Sequence, residues 1–415
     1  MTWQETIQTL EALSGGPLVR TPTAARERLA FLMDRLGIDW RIPVVHVVGT
    51  CGKGSTSTFI AAALQAAGHR TGLMTGPHLV DYPERVTLNG QAVSHEDLQH
   101  HLERTFQYLE TPLGRPTVLE VVTAAGLDYL QNRVDVIVLE AGMGGGRDCT
   151  MAVPATVTVL TRLGLDHTDV MGPTLRDIAQ EKARAIRPGI PVVLAPQAPE
   201  AGQLLGPQVT VQTPVPEAVE SNLEGVTFRT RDGVWRLGMR GRHQADNAAT
   251  ALAALQILGQ VSPALVVPGP AAAQGLREAS LPGRLQVIEK DPWLILDGAH
   301  NLDGARALAE FLRDVGPPRP CHLILGVLAD KNRIAMLEVL LPVADTVAAT
   351  LPQTLRAGAM ADWVECVRQQ RAGALVFDHV DAALAHRPGV GMTVVAGSLY
   401  LVGEALETLS VPRRT

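Results

Sequence analysis

A run of β-branched residues, VVHVV at 44–48, enters a turn containing Gly49, Gly52 and Lys53 and leaves it on the hydroxyls Ser55, Thr56 and Ser57. Strand, anion-holding loop and helix is the succession this spelling predicts, with the helix over Thr56 to Ala67. Gly49 and Gly52 let the backbone turn its N–H groups toward an anion, and Lys53 adds a point charge. The helix points its positive end at the same place. The segment from Gly49 through Thr50, Gly52, Lys53, Gly54, Ser55 and Thr56 is therefore a candidate nucleotide triphosphate loop. It departs from the strict G-x-x-x-x-G-K-[ST] spelling, because Val47 stands at the first glycine position and Gly54 separates Lys53 from Ser55. The bland alternative is a glycine-rich turn with no ligand.

At 415 residues the chain exceeds what one ordinary core supports, and at 46% hydrophobic it can bury two. The net charge of −6 is spread along the chain, so no basic face points to nucleic acid and no polybasic run to a membrane. Small polar substrates fit better. No apolar run reaches the roughly 18 residues of a membrane span. The opening MTWQETIQTLEAL lacks the order of a secretion signal, which gives the expectation of a cytoplasmic protein. Cys51, Cys149, Cys321 and Cys366 lie far apart, arguing for reduced thiols rather than a disulfide framework or a zinc site.

Candidate strands Val44–Val48, Asp135–Leu139, Thr156–Thr161 and Val192–Ala195 alternate with helical stretches, which predicts a parallel sheet covered on both faces. QVTVQT, VTFRTRDG and VWRLGMRG suggest short antiparallel strands at the edge of this first domain. A helix from Asn247, ended by Gly259, follows. The Pro- and Gly-rich stretch 262–284 marks the joint between domains at 1–283 and 284–415. Beyond it, LQVIE and WLILD read as a hairpin, and CHLILGVL, DTVAAT, ALVF and TVVAGS alternate with helices. The fold class expected is thus α/β: an N-terminal phosphate-loop domain with a parallel sheet, then a smaller Rossmann-like α/β domain.

Ligands of open parallel sheets bind at the carboxyl ends of the strands. The unusual polar residues collect there: Glu140 after VDVIVL, Asp166 and His167 after VTVLTRLGL, Asp297 and His300 after WLIL, and Ser398 after TVVAG. That recurrence in both domains predicts a shared crevice. Phosphoryl transfer needs a divalent cation with oxygen ligands. Ser55 or Thr56 can supply a hydroxyl, Glu140 a carboxylate and His167 a ligand to a second ion. In the helix expected over 174–186, Leu175, Ile178, Ala179, Lys182 and Ile186 fall on one stripe, which puts Lys182 on the apolar face. Such a lysine either snorkels from the stripe's edge or loses its proton, becomes reactive and takes up CO₂ as a carbamate. Asn247 either caps its helix or contacts nucleotide. Arg284 sits at the joint, where a guanidinium can reach phosphate oxygens. His95, His100 and His101 read as the wet face of an acidic amphipathic helix.

Taken in order, HVVGTCGKGST, TGPHLVDYPERV, VLEAGMGGGRDCT, LGLDHTDVMG, IAQEKARAI, NAATALAAL, LPGR, LDGAHN, GVLADKN and VAGSLY resemble the folylpolyglutamate synthase and dihydrofolate synthase family, a branch of the ATP-dependent Mur ligases. GKGS, with a glycine before the hydroxyl, resembles the folate branch rather than the murein branch. The resemblance implies ATP and Mg²⁺ as cofactors, L-glutamate and folate or dihydropteroate as substrates, and a monomer. It implies that the acceptor carboxylate is phosphorylated and the acyl phosphate is then captured by the amine of glutamate. By that resemblance Lys53, Asp148, Lys182, Arg284 and His300 are catalytic, and Glu140 and His167 join Ser55 as metal ligands. Asn247, Arg284 and Asp297 contact ATP; His300 and Ser398 lie near phosphate and glutamate. Glu120, Val121, Val122 and Thr123, with Asp148, Cys149 and Thr150, line the pterin pocket. Departures are Gly76-Pro77 for the usual Ser-Pro, Met151 for asparagine, Gly146-Arg147 in the preceding residues and Arg184 where glycine is common. A murein-type ligase and an ATP-binding protein that makes no amide are the competing readings.

Overall fold

The structure, a computed structural model, describes residues 1–15, 23–38 and 41–410. By its internal contacts the chain forms two compact units, the first comprising Met1–His78, Tyr82–Pro216 and Asp246–Ala279. Eight strands build its sheet: β1 (Val44–Val48), β2 (Thr71–Met74), β3 (Val86–Leu88), β4 (Gln91–Ala92), β5 (Val136–Glu140), β6 (Val157–Leu160), β7 (Val192–Leu194) and β8 (Val211–Gln212). They lie in the order β4-β3-β2-β5-β1-β6-β7-β8. Only β3 and β4, at one edge, run antiparallel to their neighbours. Every residue of β1 is buried, which is why its sequence shows no in-out alternation: helices cover both faces of a parallel sheet.

On one face Val44, Ile137 and Leu139 meet Leu29, Leu32, Leu98, Val122 and Leu127. These come from the helices Ala24–Leu36, His95–Phe106 and Val118–Leu130. The helix Lys53–Ala66 packs on β1, β2 and β5, and Gly269–Glu278 packs on that helix in turn. Local chemistry sets the helix ends. Thr117 with Glu120, and Thr174 with Asp177, form capping boxes, and Gly37 closes Ala24–Leu36 in the left-handed conformation.

The second unit comprises Leu79–Asp81, Glu217–Ala245 and Ser280–Thr415, described to residue 410. Strands β9 (Glu217–Asn222), β10 (Gly225–Thr230) and β11 (Gly233–Leu237) form an antiparallel sheet. A larger sheet holds β12 (Gln286–Lys290), β13 (Trp293–Asp297), β14 (Cys321–Leu325), β15 (Thr346–Ala349), β16 (Leu375–Val376) and β17 (Met392–Ala396), ordered β12-β13-β17-β14-β15-β16. The expected hairpin is β12–β13, the antiparallel pair of an otherwise parallel sheet. Among the described residues no helix is long and apolar enough to cross a membrane.

Several expectations need correction. QVTVQT yields β8, which runs parallel to β7 within the large sheet, because Val211 and Gln212 extend that ladder. The antiparallel strands group with the second unit rather than the edge of the first. Leu223 packs on the core that holds Leu285 and Leu308, and Arg240 Nε donates to the Leu223 carbonyl at 2.6 Å. The 262–284 stretch is not all joint, since its helix belongs to the first unit through Ala279. The loop helix starts at Lys53 rather than Thr56, and the helix expected to stop at Gly259 runs His243–Val261. His101 is not on a wet face. It is buried, and its Nδ1 lies 2.5 Å from Asp128, whose carboxylate Arg104 also meets at 2.8 Å.

Gly275 presses its backbone against that of Ala63: a Cβ there would lie 2.5 Å from the Ala63 N and Cα atoms. Main chain cannot yield as a flexible side chain can. Gly275→Ala is expected to lower unfolding free energy by about 2 kcal/mol, the ordinary scale of overpacking. Urea denaturation checks this, and an unchanged midpoint would contradict so close a helix contact.

Candidate active site

The phosphate loop grows out of β1 and is moored to the strand beside it. The N–H groups of Thr50 and Cys51 donate to the Arg162 carbonyl just after β6, at 3.2 and 2.9 Å. Those two amides are therefore committed to the fold and not to an anion. Thr56 N–H is the first to donate within the helix, to Gly52 O at 2.8 Å, so the amides of the turn ahead of it precede the helical ladder. The helix N-terminus at Lys53, three residues earlier than the sequence suggested, brings its positive end into the turn itself. Lys53 Nζ reaches back to the Thr50 carbonyl at 3.4 Å.

Gly52 has φ 80, and a Cβ on it would collide with the side-chain amide of Asn247. Asn247 is thus brought to the loop from the helix His243–Val261, a helical position beyond any cap. Ser55 and Thr56 are buried, and the Thr50 and Thr56 hydroxyls make no hydrogen bond among the described residues. A tight glycine cradle with uncommitted hydroxyls at a helix head suits phosphate oxygens and a hard cation. Glu140 closes β5 beside Val47 of β1, and its Oε2 accepts from Gly76 N–H at 3.3 Å. His167 is exposed in a left-handed conformation, φ 50, ahead of Thr168–Met171. Among the described residues no three His, Cys, Asp or Glu side chains cluster as a metal cage. A cation here would take few protein ligands and keep waters, as magnesium does.

Beyond β5 the glycine-rich loop of residues 142–147 is held by three side chains. Met143 N–H donates to Asp148 Oδ2 at 2.7 Å. Lys182 Nζ donates to the Gly144 carbonyl at 2.8 Å. Glu181 accepts from the Gly145 and Arg147 amides at 3.4 and 3.2 Å, while Arg184 Nη1 binds its other oxygen at 2.9 Å. Lys182 is 2% exposed, so it does not snorkel. The helix that carries it ends at Ala183, leaving Ile186 of the expected stripe outside. Burial first, and the positive charge of Lys53 second, pull the Lys182 amine from its ordinary 10.5 down to about 7, against the pull of Asp148, Glu181 and Asp166. Those causes place Lys53, Asp148, Asp166 and Lys182 in one electrostatic neighbourhood.

The candidate pocket wall is buried. Glu120, Val121, Val122 and Thr123 lie on Val118–Leu130, and Cys149 and Thr150 in a short turn that Asp148 caps. Arg28 holds both Glu120 oxygens, at 2.7 and 2.8 Å, so this carboxylate anchors the wall. In the second unit Asp297 ends β13, with its oxygens accepting from Leu285 and Ala299 N–H at 2.9 and 3.0 Å. Burial raises its carboxyl, against Arg284 and those amides. Arg284 Nη1 donates to Gly283 O at 3.4 Å. His300 Nδ1 lies 2.8 Å from the Gly298 carbonyl and must carry the proton, since a carbonyl only accepts. Ser398 follows β17, and its hydroxyl accepts from Tyr400 N–H at 3.1 Å, capping the last helix.

Sequence reasoning missed Glu181 and His46. Glu181 flanked the apolar stripe at three residues from Ile178, and His46 was the lone polar residue in an all-buried strand. Those irregularities were the available signals.

A doubly covered parallel sheet with a glycine-cradled loop and a deprotonatable buried lysine beside it defines a class, the phosphate-loop α/β enzymes that act on nucleotide phosphates. Comparison with known proteins narrows it. A family model described as Mur ligase, glutamate ligase domain, matches residues 283–399. The dihydrofolate synthase/folylpolyglutamate synthase of Bacillus subtilis is 31% identical over 410 residues, covering 92% of this chain and 94% of that one. Mycobacterium tuberculosis folylpolyglutamate synthase complexed with ADP aligns over 99% of both chains at 26% identity, with a TM-score of 0.86. A bifunctional folylpolyglutamate synthase/dihydrofolate synthase with Mn, AMPPNP and L-glutamate bound aligns over 99% of this chain and 98% of that one, at 28% identity and a TM-score of 0.81. The chain belongs to the folylpolyglutamate synthase/dihydrofolate synthase family of the Mur ligase superfamily, and is an ATP-dependent amino acid ligase.

The Lys182 amine has a testable thermodynamic signature. Between about 7 and 10.5 the unfolded chain binds a proton there that the folded chain does not, so this group makes stability rise with pH across that window. In CO₂-free buffer the stability of Lys182→Met relative to the unsubstituted protein should fall steadily from pH 7 to pH 10.5. Parallel pH profiles in thermal melts would show that the amine is not desolvated.

Proposed function

We propose that the protein joins L-glutamate to the carboxylate of a pteroate or folate acceptor, using ATP and Mg²⁺. The observation that carries this is the Gly52–Asn247 cradle beside the buried Lys182. An acceptor carboxylate oxygen bonds to the γ-phosphorus as the bond to ADP breaks. The glutamate amine then attacks the acyl carbon, phosphate leaves, and the amine gives up its proton as the amide forms. Catalysis of this kind is positioning and charge stabilisation, so no protein nucleophile is required.

In this reading the loop from Gly49 to Thr56 and Asn247 hold the triphosphate, with Lys53 next to the moving phosphoryl group. Ser55, Glu140 and His167 hold divalent cations, which neutralise phosphate charge when bound. Lys182, half neutral near pH 7, adds its amine to CO₂ and releases a proton, giving an anionic carbamate. Glu120 to Thr123 and the Asp148-Cys149-Thr150 turn receive the pterin. Arg284 and Asp297 act on ATP, and His300 and Ser398 on phosphate and glutamate. The nucleotide half would then be the first unit and the glutamate half the second, with the 217–245 segment counted in the latter. Dispersed charge and four cysteines that form no disulfide among the described residues support a cytoplasmic enzyme, and we take the working form as a monomer.

Purified protein given ATP, Mg²⁺, L-glutamate and dihydropteroate or tetrahydrofolate should release ADP and phosphate with a new amide. Turnover with uridine-nucleotide acceptors in place of every pterin would sink the acceptor assignment. Lys182→Ala should lose about a hundredfold or more in kcat, the scale of a removed charge-stabilising group, with partial recovery on adding a short-chain carboxylate. An undiminished rate would rule out the carbamate.

A further inference from the structure

Inside the first unit, the strand that ends in the phosphate loop also reaches the turn assigned to the acceptor. His46, at the centre of β1, is fully buried, and its Nε2 lies 2.8 Å from Thr150 Oγ1. That hydroxyl in turn meets Asp148 Oδ1, which also accepts from Thr150 N–H at 2.9 Å. The other Asp148 oxygen takes the Met143 amide at 2.7 Å. Proton positions along this chain follow from elementary chemistry. A carboxylate only accepts, so the Thr150 hydroxyl must donate to Asp148, and Thr150 can then only accept from His46. The imidazole therefore carries its proton on Nε2. His46 Nδ1 is buried and makes no hydrogen bond among the described residues, as an unprotonated nitrogen can. Burial, with Arg187 nearby, pulls this imidazole down to about 3, so it stays neutral through the working range.

We infer that His46 is a positioning residue for the acceptor: its Nε2–H fixes the Thr150 hydroxyl and, through it, the Asp148 carboxylate that organises both the pterin turn and the 142–147 loop. The inference rests on the ligation proposed above. Each oxygen of Asp148 is engaged in this scaffold, Oδ1 by the Thr150 hydroxyl and amide and Oδ2 by the Met143 amide, so the carboxylate is held in one orientation. His46 stands three residues before Gly49, with the Thr150 turn on its other side. One strand thereby sets the register between the nucleotide loop and the acceptor turn.

Two variants separate position from bulk. Glutamine can place its amide nitrogen where Nε2 stands, whereas asparagine reaches only the Nδ1 position. Losing the relay should raise the acceptor KM about tenfold, the scale of one buried hydrogen bond with its orphaned partner, while the ATP KM changes by less than about twofold. His46→Asn and His46→Leu should show this split, and His46→Gln should recover most of it. Equal rises in both KM values, or glutamine and asparagine behaving alike, would overturn the inference. An independent readout needs no turnover. In protein labelled with ¹⁵N-histidine, the resonance lost in His46→Gln should report an Nε2–H, neutral ring from pH 5 to pH 8, with the proton never on Nδ1. An Nδ1–H tautomer or a titrating ring would overturn it even if His46→Leu fails to fold. Absence of wild-type turnover with every pterin, with the Nε2–H ring intact, would count against the ligation reading and leave the relay standing.

Discussion

Parallel pairing of β5, β1 and β6 decides where the chemistry of the first unit can sit. Val47 pairs with Glu140 on one side and with Val159 on the other, so three chains leave the sheet at nearly one level and in one direction. The loop at 49–53, the Glu140 carboxylate and the Thr161–His167 segment are neighbours for that reason alone. The Arg162 carbonyl that receives the Thr50 and Cys51 amides follows from the same pairing. Had β1 paired antiparallel with either partner, these groups would have left from opposite edges.

Charge in this neighbourhood is arranged by desolvation. Lys182 is buried near the half-buried Lys53, and burial makes it give up its preference for the ammonium form. Lys182 nonetheless keeps a hydrogen bond to Gly144, so the amine that chemistry needs also helps hold a loop. Glu181 on the same helix and Arg184 just past its end complete that clasp. Arg184 is thus accommodated by a carboxylate that already serves the loop.

What was legible in the sequence was local. Strand, glycine turn and helix at 44–66 depend on residues adjacent in the chain, and the stripe that buries Lys182 lies within one short helix. What stayed hidden required partners far away in sequence. His46 went unremarked in its apolar strand because its partner Thr150 is 104 positions on. His101 read as solvated because Asp128, on another helix 27 residues away, supplies what pays for its burial. Of the three antiparallel strands at 217–237, β10 and β11 were recognisable and β9 was not, and their home depended on Leu223 finding a core built mostly from residues after 284. Within the site, the loop helix was placed three residues late because glycines discourage a helix start, yet tertiary contact with Asn247 and Arg162 holds one there.

The bare-backbone contact of Gly275 with Ala63 has a mechanical consequence. Where two helices meet through side chains, rotamer changes let one slide against the other by an ångström or so. No such compliant layer separates these two, so the helix behind the phosphate loop is braced from the rear and cannot recoil. Whatever accommodation a bound anion demands must then be made by the turns at the sheet's rim. The helix head acts as a fixed stop against which the ligand is seated.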